Sequence, residues 1–323
     1  MEANRETSLN IIDAHCHIAS HEHIPASFIA GGLANMAAAL SAQGIRLSPE
    51  KLAKLYDEKM QDPLCDSLIK EMQAAGISKS ILLAADFTFA LKDCTLTVEE
   101  SFIKHREVLL RHPGKFEVFG GVDPRWGKDG LALFERSMTE FGFRGLKVYP
   151  PCGFSPSSAA LFPFYEICSQ YRVPVVVHIG PTSPALAFDT SNPFLLDEAA
   201  RNFPTVNFIL AHGSVSFVEE CAMLCTFRPN IYFDLSAYQS SLRAGGTGGA
   251  VKNAVSRGIN HKILFGTDWP VFRLQDDQQG FVETITATDG PLSDLRDAEK
   301  ALILHGNAER LLNQAGRATE PTL

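Results

Sequence analysis

Two histidines, His15 and His17, stand two residues apart at the end of a short apolar run, Ile11-Ile12-Asp13-Ala14-His15-Cys16-His17. On a β-strand, alternate side chains leave the same face, so both imidazoles point one way. Such a pair on a stiff strand end is half of a divalent-metal site. Other chemically capable residues also end apolar runs: Lys147 after Gly145-Leu146, His178 after Val175-Val176-Val177, His212 after Ile209-Leu210-Ala211, and Asp268 in Gly266-Thr267-Asp268-Trp269-Pro270. A polar side chain in such a place costs free energy unless it finds a partner. The spacing is regular: 31 residues separate Lys147 from His178, 34 separate His178 from His212, and 56, twice 28, separate His212 from Asp268. Each residue therefore holds the same position in its own structural unit, and the set is expected to converge on one metal ion. Imidazoles with a carboxylate suit zinc, manganese or iron(II), with zinc the default for a hydrolytic site that keeps an open position.

The units that position these residues alternate short β-branched runs with helical stretches. Strands are expected at 11–17, 80–85, 116–122, 145–149, 173–179, 206–212, 231–235 and 262–267, with helices at 101–111, 131–141, 159–171, 194–202, 214–226 and 249–257. Eight such units of about 30 residues predict an α/β fold, a (β/α)8 TIM barrel, as one domain over residues 1–323. Right-handed crossovers place the helices outside, and the chemistry belongs where the strands run out into their following loops. The segment 19–60 is too long for a plain connection. It reads as a helical insertion: one helix over 29–43, then Ser48 as an N-cap before Pro49 and Glu50. At the mouth it would be a lid or pocket wall, or equally a dimer contact. Gly245-Gly246-Thr247-Gly248-Gly249 reads as a flexible loop, because it matches no phosphate-binding fingerprint.

The net charge of −8 argues against nucleic acid as a primary partner, since phosphate binding wants a basic stripe. No apolar run is long enough to span a bilayer, and the opening residues lack the apolar core of a signal peptide. Seven scattered cysteines without a Cys-x-x-Cys read as reduced thiols. The expectation is a cytoplasmic protein acting on a small molecule, with a homo-oligomer left open.

The combination of Asp13-x-His15-x-His17, Gly145-x-Lys147, His178, His212 and Gly266-Thr267-Asp268-Trp269-Pro270 resembles the amidohydrolase superfamily. It is more similar still to the amidohydrolase-related branch that contains aminocarboxymuconate-semialdehyde decarboxylase. The segment 303–312 resembles that branch's terminal helix. The resemblance implies one divalent metal on His15, His17, His178 and Asp268. It implies that His212 is a catalytic group orienting water or polarising substrate, and that Asp268 moves the proton. Lys147 stays open: a carboxylated bridge between two metals, as in dihydroorotase, or a plain lysine facing a substrate carboxylate or Asp268. If binuclear, His212 would join the second metal. Asp13 either orients a ligand histidine or bonds nearby backbone.

Substrate contacts are expected from Tyr149, Trp269 and Phe154 as an apolar wall, and from Arg243 or Arg273 as a carboxylate clamp. His21-Glu22-His23 reads as a solvated loop, His105, His112 and His261 as surface residues, and His305 as bonded to backbone. Metal-activated water attacking an amide, ester or lactone is the expected reaction. Many decarboxylases of the branch carry Glu-x-His on the first strand, and this chain has His-x-His. The alternative is non-oxidative decarboxylation of an aromatic or dienoic acid.

Overall fold

The computed structural model describes residues 10–213, 215–237, 246–271, 273 and 276–314. Eight parallel strands follow one another around the sheet in chain order. They are β1 (Ile11–Cys16), β2 (Ile77–Leu83), β3 (Phe116–Gly121), β4 (Gly145–Val148), β5 (Val175–His178), β6 (Phe208–Ala211), β7 (Ile231–Asp234) and β8 (Ile263–Leu264). The α-helices are α1 (Ala26–Ala42), α2 (Pro49–Lys59), α3 (Asp66–Ala74), α4 (Val98–Arg111), α5 (Gly127–Thr139), α6 (Phe162–Tyr171), α7 (Asp197–Asn202), α8 (Val218–Phe227), α9 (Gly246–Val255), α10 (Gln278–Thr286), α11 (Asp297–Ala301) and α12 (Asn307–Gln314). The predicted TIM barrel is the fold found.

The strands read as near-continuous apolar runs because both of their faces are covered. Val176, Ile209, Tyr232 and Leu264 form an inner cluster closed by Leu311 and Leu312 of α12, whereas Val175, Val177, Leu210 and Phe233 pack outward with the helices. His178 and Asp234 lie two residues beyond Val176 and Tyr232, so they continue the inward-facing row into the mouth.

The last strand is shorter than expected, since only two residues of the predicted 262–267 remain in the ladder. The following residues bond elsewhere and close the barrel against β1. Ala14 donates its N–H to the Phe265 carbonyl at 2.9 Å, Asp268 to the His15 carbonyl at 2.8 Å, and His17 to the Trp269 carbonyl at 2.7 Å. The fully buried Asp13 carboxylate reinforces this seam. It accepts from the Thr267 hydroxyl at 2.6 Å, the Thr267 and His15 amides at 3.0 Å each, and the Gln278 amide at 3.0 Å. Asp13 therefore bonds backbone and ties the first stave to the last.

Within the insertion, Ser48 caps α2 as expected, its hydroxyl accepting from the Lys51 amide at 3.3 Å. Leu33, Ala37, Leu52, Tyr56 and Met60 give α1 and α2 a small core of their own. Residues 246–249, expected as loop, form the first turn of α9. No helix among the described residues is long and apolar enough to cross a membrane.

Candidate metal centre

The centre is built on a carboxylate that the sequence reading passed over. Asp234 ends β7, fully buried. One of its oxygens lies 2.9 Å from His15 Nδ1. The other accepts from the His212 amide at 3.0 Å, the Ser236 amide at 3.1 Å and the Ser236 hydroxyl. A carboxylate only accepts, so His15 carries its proton on Nδ1 and presents a bare Nε2. The Ser236 hydroxyl has spent its proton on Asp234, so at 2.7 Å it accepts from His212 Nδ1, which leaves His212 Nε2 bare as well. His17 donates Nδ1–H to the Leu83 carbonyl at 2.8 Å, and His178 donates Nε2–H to the Pro181 carbonyl at 2.9 Å. All four imidazoles are thus held in the tautomer that offers a lone pair on the remaining nitrogen.

Two of these bare nitrogens meet the Asp268 carboxylate. Asp268 Oδ1 lies 3.2 Å from His17 Nε2 and 3.5 Å from His15 Nε2. His15 Nε2 is buried without a hydrogen-bond partner among the described residues. Burial, with Lys147 and His17 adding repulsion, keeps His15 well below its ordinary pKa, so its Nε2 lone pair faces Asp268 without a proton of its own. Two imidazole nitrogens and a carboxylate oxygen in that arrangement fit a divalent cation, and the set suits manganese as well as zinc.

A second trio, His15, His212 and Asp234, also has donor atoms within 4.8 Å of one another. There the Asp234 oxygens are already occupied by donated protons, so this group orients rather than binds. Replacing Ser236 by alanine frees His212 to flip its tautomer. Turnover is expected to fall about 10–100-fold with a smaller loss of bound metal, read by kcat and by elemental analysis.

Both His212 and Asp268 take a left-handed backbone, with φ of 57° and 58°. For residues other than glycine this costs about 1–2 kcal/mol. The bonds from the His212 amide to Asp234 and from the Asp268 amide to the His15 carbonyl hold both turns in place.

Lys147 points into the same interior, 1% exposed, its Nζ without a hydrogen-bond partner among the described residues. Burial lowers its pKa to about 8, against the pull of Asp234 and Asp268. His178 joins the mouth but not the trio: its ring stacks on Tyr149 at 4.2 Å between centroids.

Beside the centre lies a cavity of about 290 Å³. His17, His178, His212 and Asp268 form its polar end, while Phe28, Leu33, Met36, Phe87 and Tyr149 supply much of its wall. Tyr149 is thus in place as expected, its hydroxyl 3.0 Å from Thr182 Oγ1. Trp269 is not. Its indole N–H donates to Glu71 at 2.8 Å, and Arg273 lies over the ring and also pairs with Glu71. Both are occupied in holding the loop after β8 to α3, so neither lines the cavity. Phe154 packs beside Tyr149 and Phe87 without lining the cavity. Arg243 lies outside the described residues.

Expectations for four further histidines need correcting. His105 is buried, because residues 98, 102, 105 and 108 form the inward stripe of α4. His23 is half-buried and lines the cavity beside His105, whereas His21 turns to Asp57 at 3.1 Å and Glu22 is exposed. His261 is exposed as expected, whereas His112 is half-buried on the Leu64 carbonyl. His305 pairs with the Glu309 side chain rather than with backbone.

A family model described as amidohydrolase matches residues 12–314. No curated protein matches the chain. Among solved structures it is similar to an uncharacterized TIM-barrel protein, Bb4693, from Bordetella bronchiseptica, at 22% identity over 96% of this chain and 100% of that one, TM-score 0.71. It is similar to 5-carboxyvanillate decarboxylase LigW from Sphingomonas paucimobilis, at 14% identity over 94% and 99%, TM-score 0.66. A dihydroxybenzoic acid decarboxylase from Polaromonas sp. JS666, solved with bound manganese and the inhibitor 2-nitroresorcinol, matches at 18% identity over 94% and 97%, TM-score 0.63. These likenesses show a shared fold, and the family match extends over nearly the whole barrel together with its metal-type mouth: the chain belongs to the amidohydrolase family.

Proposed function

We propose that this protein is a metal-dependent decarboxylase of small aromatic carboxylic acids. The observation that carries the reading is the cavity: an aromatic and aliphatic wall standing against a histidine–aspartate centre. A dry cavity of roughly 150 Å³ accepts benzene. At about 290 Å³ this one has room for a ring with several substituents. Loss of carbon dioxide spreads a localised carboxylate charge over the ring, and an apolar wall favours the spread charge over the localised one. The decarboxylases among the similar structures support the same choice over hydrolysis.

His15, His17 and Asp268 would hold the cation, with His178 and Lys147 close by. When bound, the cation supplies a positive charge against substrate oxygens. The chain's own groups do the rest. His212 Nε2 is a lone pair fixed by Ser236, placed to accept a proton from a ring hydroxyl. That proton, relayed through Asp268, would go to the ring carbon as the carbon–carboxylate bond breaks and its electron pair stays on the ring; carbon dioxide leaves, and the phenolate left behind regains a proton from water on release. Phe28, Phe87 and Tyr149 keep the ring flat and exclude water. The insertion over 19–60 serves as the lid, since Ile24, Phe28, Leu33, Met36 and Tyr56 all face the cavity.

A second reading is hydrolysis of an amide, ester or lactone. It rests on the His15–His17 pair, which would serve a water nucleophile equally well. Metal-replete protein incubated with a panel of hydroxybenzoates is expected to release carbon dioxide. Clear turnover of lactones or amides with no carbon dioxide from any acid would replace this reading with the second.

A further inference from the structure

The cavity reaches beyond the centre to two histidines that the proposed chemistry leaves unused, His23 and His105. His105 is 1% exposed. Its Nδ1 lies 2.8 Å from the Ser101 carbonyl. A carbonyl only accepts, so the proton sits on Nδ1 and Nε2 carries a lone pair. That Nε2 is buried and has no hydrogen-bond partner among the described residues. His23 meets the His105 ring edge to face, 4.8 Å between centroids, and its own Nδ1 lies 3.2 Å from Ser101 Oγ. One serine thus steadies both rings, through its carbonyl and its hydroxyl.

Burial brings the His105 pKa down to about 4 and holds His23 well below the usual histidine range. Both rings are therefore neutral at pH 7, and neither attracts an anion by charge. A buried acceptor without a donor is rare in folded proteins, because it has given up water for nothing. What satisfies it is a neutral N–H or O–H brought in by a ligand.

We propose that His105 Nε2 is the specificity contact of the cavity, accepting a hydrogen bond from a hydroxyl or amino substituent on the ring edge turned towards α4. The inference rests on the reading of the cavity as an aromatic-acid site and deepens it. A site built around such an acceptor discriminates against the analogue lacking the donor, since that analogue leaves the acceptor buried and unpaired. A second carboxylate at that edge is disfavoured, because two acceptors would face each other.

The test is titration calorimetry of metal-replete protein with 2-hydroxybenzoate and its derivatives bearing one further hydroxyl at each ring position. One position is expected to tighten binding by about tenfold or more. In His105→Phe that preference falls to within about twofold, and His105→Gln, which keeps an acceptor, retains part of it. His105→Leu serves the same purpose if the phenylalanine variant does not fold. A wild-type protein indifferent to every added hydroxyl, as it would be if a resident water satisfied Nε2, overturns the inference. So does a preference that survives in both His105→Phe and His105→Leu. Failure of every benzoate to bind overturns the aromatic-acid reading with it, whereas binding without preference overturns this inference alone.

Discussion

Asp234→Asn is expected to cost the protein most of its metal and most of its turnover while leaving the barrel folded. Asparagine has the shape of aspartate, so packing at the end of β7 is unchanged. Its oxygen can still accept from the His212 and Ser236 amides, which meet one oxygen of Asp234 in the wild type. The NH2 group then faces His15 Nδ1, where the wild-type carboxylate accepts. Two donors cannot face each other, so His15 moves its proton to Nε2, the atom that must be bare. Metal affinity should drop about 10–100-fold, as when other orienting partners of ligand histidines are removed. Turnover should drop about 10²–10⁴-fold, the range set by tautomer errors in other histidine-based sites. Elemental analysis, kcat and circular dichroism together decide the matter. Full metal content in the variant would mean that Asp234 does not set the His15 tautomer.

The second large effect is acid lability. Four buried histidines and the half-buried His23 have folded-state pKa values below the unfolded value of about 6.5: His15, His23, His178 and His212 well below it, and His105 at about 4. Desolvation is the leading cause in each case. Below pH 6.5 the unfolded chain binds protons that the folded chain refuses, so stability falls as pH falls. Each such histidine contributes up to about 1.4 kcal/mol per pH unit. Asp13 opposes them. Burial raises its pKa to about 6, so the folded state binds its proton more tightly and gains stability as pH falls from about 6 to 4. One group against five leaves a net loss of several kcal/mol per pH unit. Urea-unfolding midpoints of metal-stripped protein should fall steeply between pH 6.5 and 4.5. A flat midpoint across that range would mean that these rings are charged in the folded protein.

The barrel was legible because each stave repeats one pattern, and the pattern survives without knowledge of neighbours. Boundaries moved where tertiary bonding competes with the ladder, as at residues 265–267, which serve the seam instead. Four histidines and an aspartate were readable from their places at strand ends. Asp234 ends β7 in the same register, after Ile231-Tyr232-Phe233, and the same rule applied to that strand finds it. His105 was readable too, from the 98, 102, 105, 108 spacing of its helix. Trp269 was misleading because its neighbour Asp268 carries the chemistry, while Trp269 itself turns to Glu71 on α3, a partner some 200 residues away that no local pattern announces. The aromatic wall has the same obstacle. Phe28 comes from the insertion, Phe87 from the stretch after β2 and Tyr149 from the end of β4, so only the closed barrel brings them together.

The seam between β1 and β8 also sets when His15, His17 and Asp268 come together. His15 and His17 leave the ribosome some 250 residues ahead of Asp268. Until the final stave docks on Asp13, a nascent chain displays two imidazoles with no carboxylate to complete their grip. Assembly of the His15–His17–Asp268 trio is therefore a late event in the folding of each molecule.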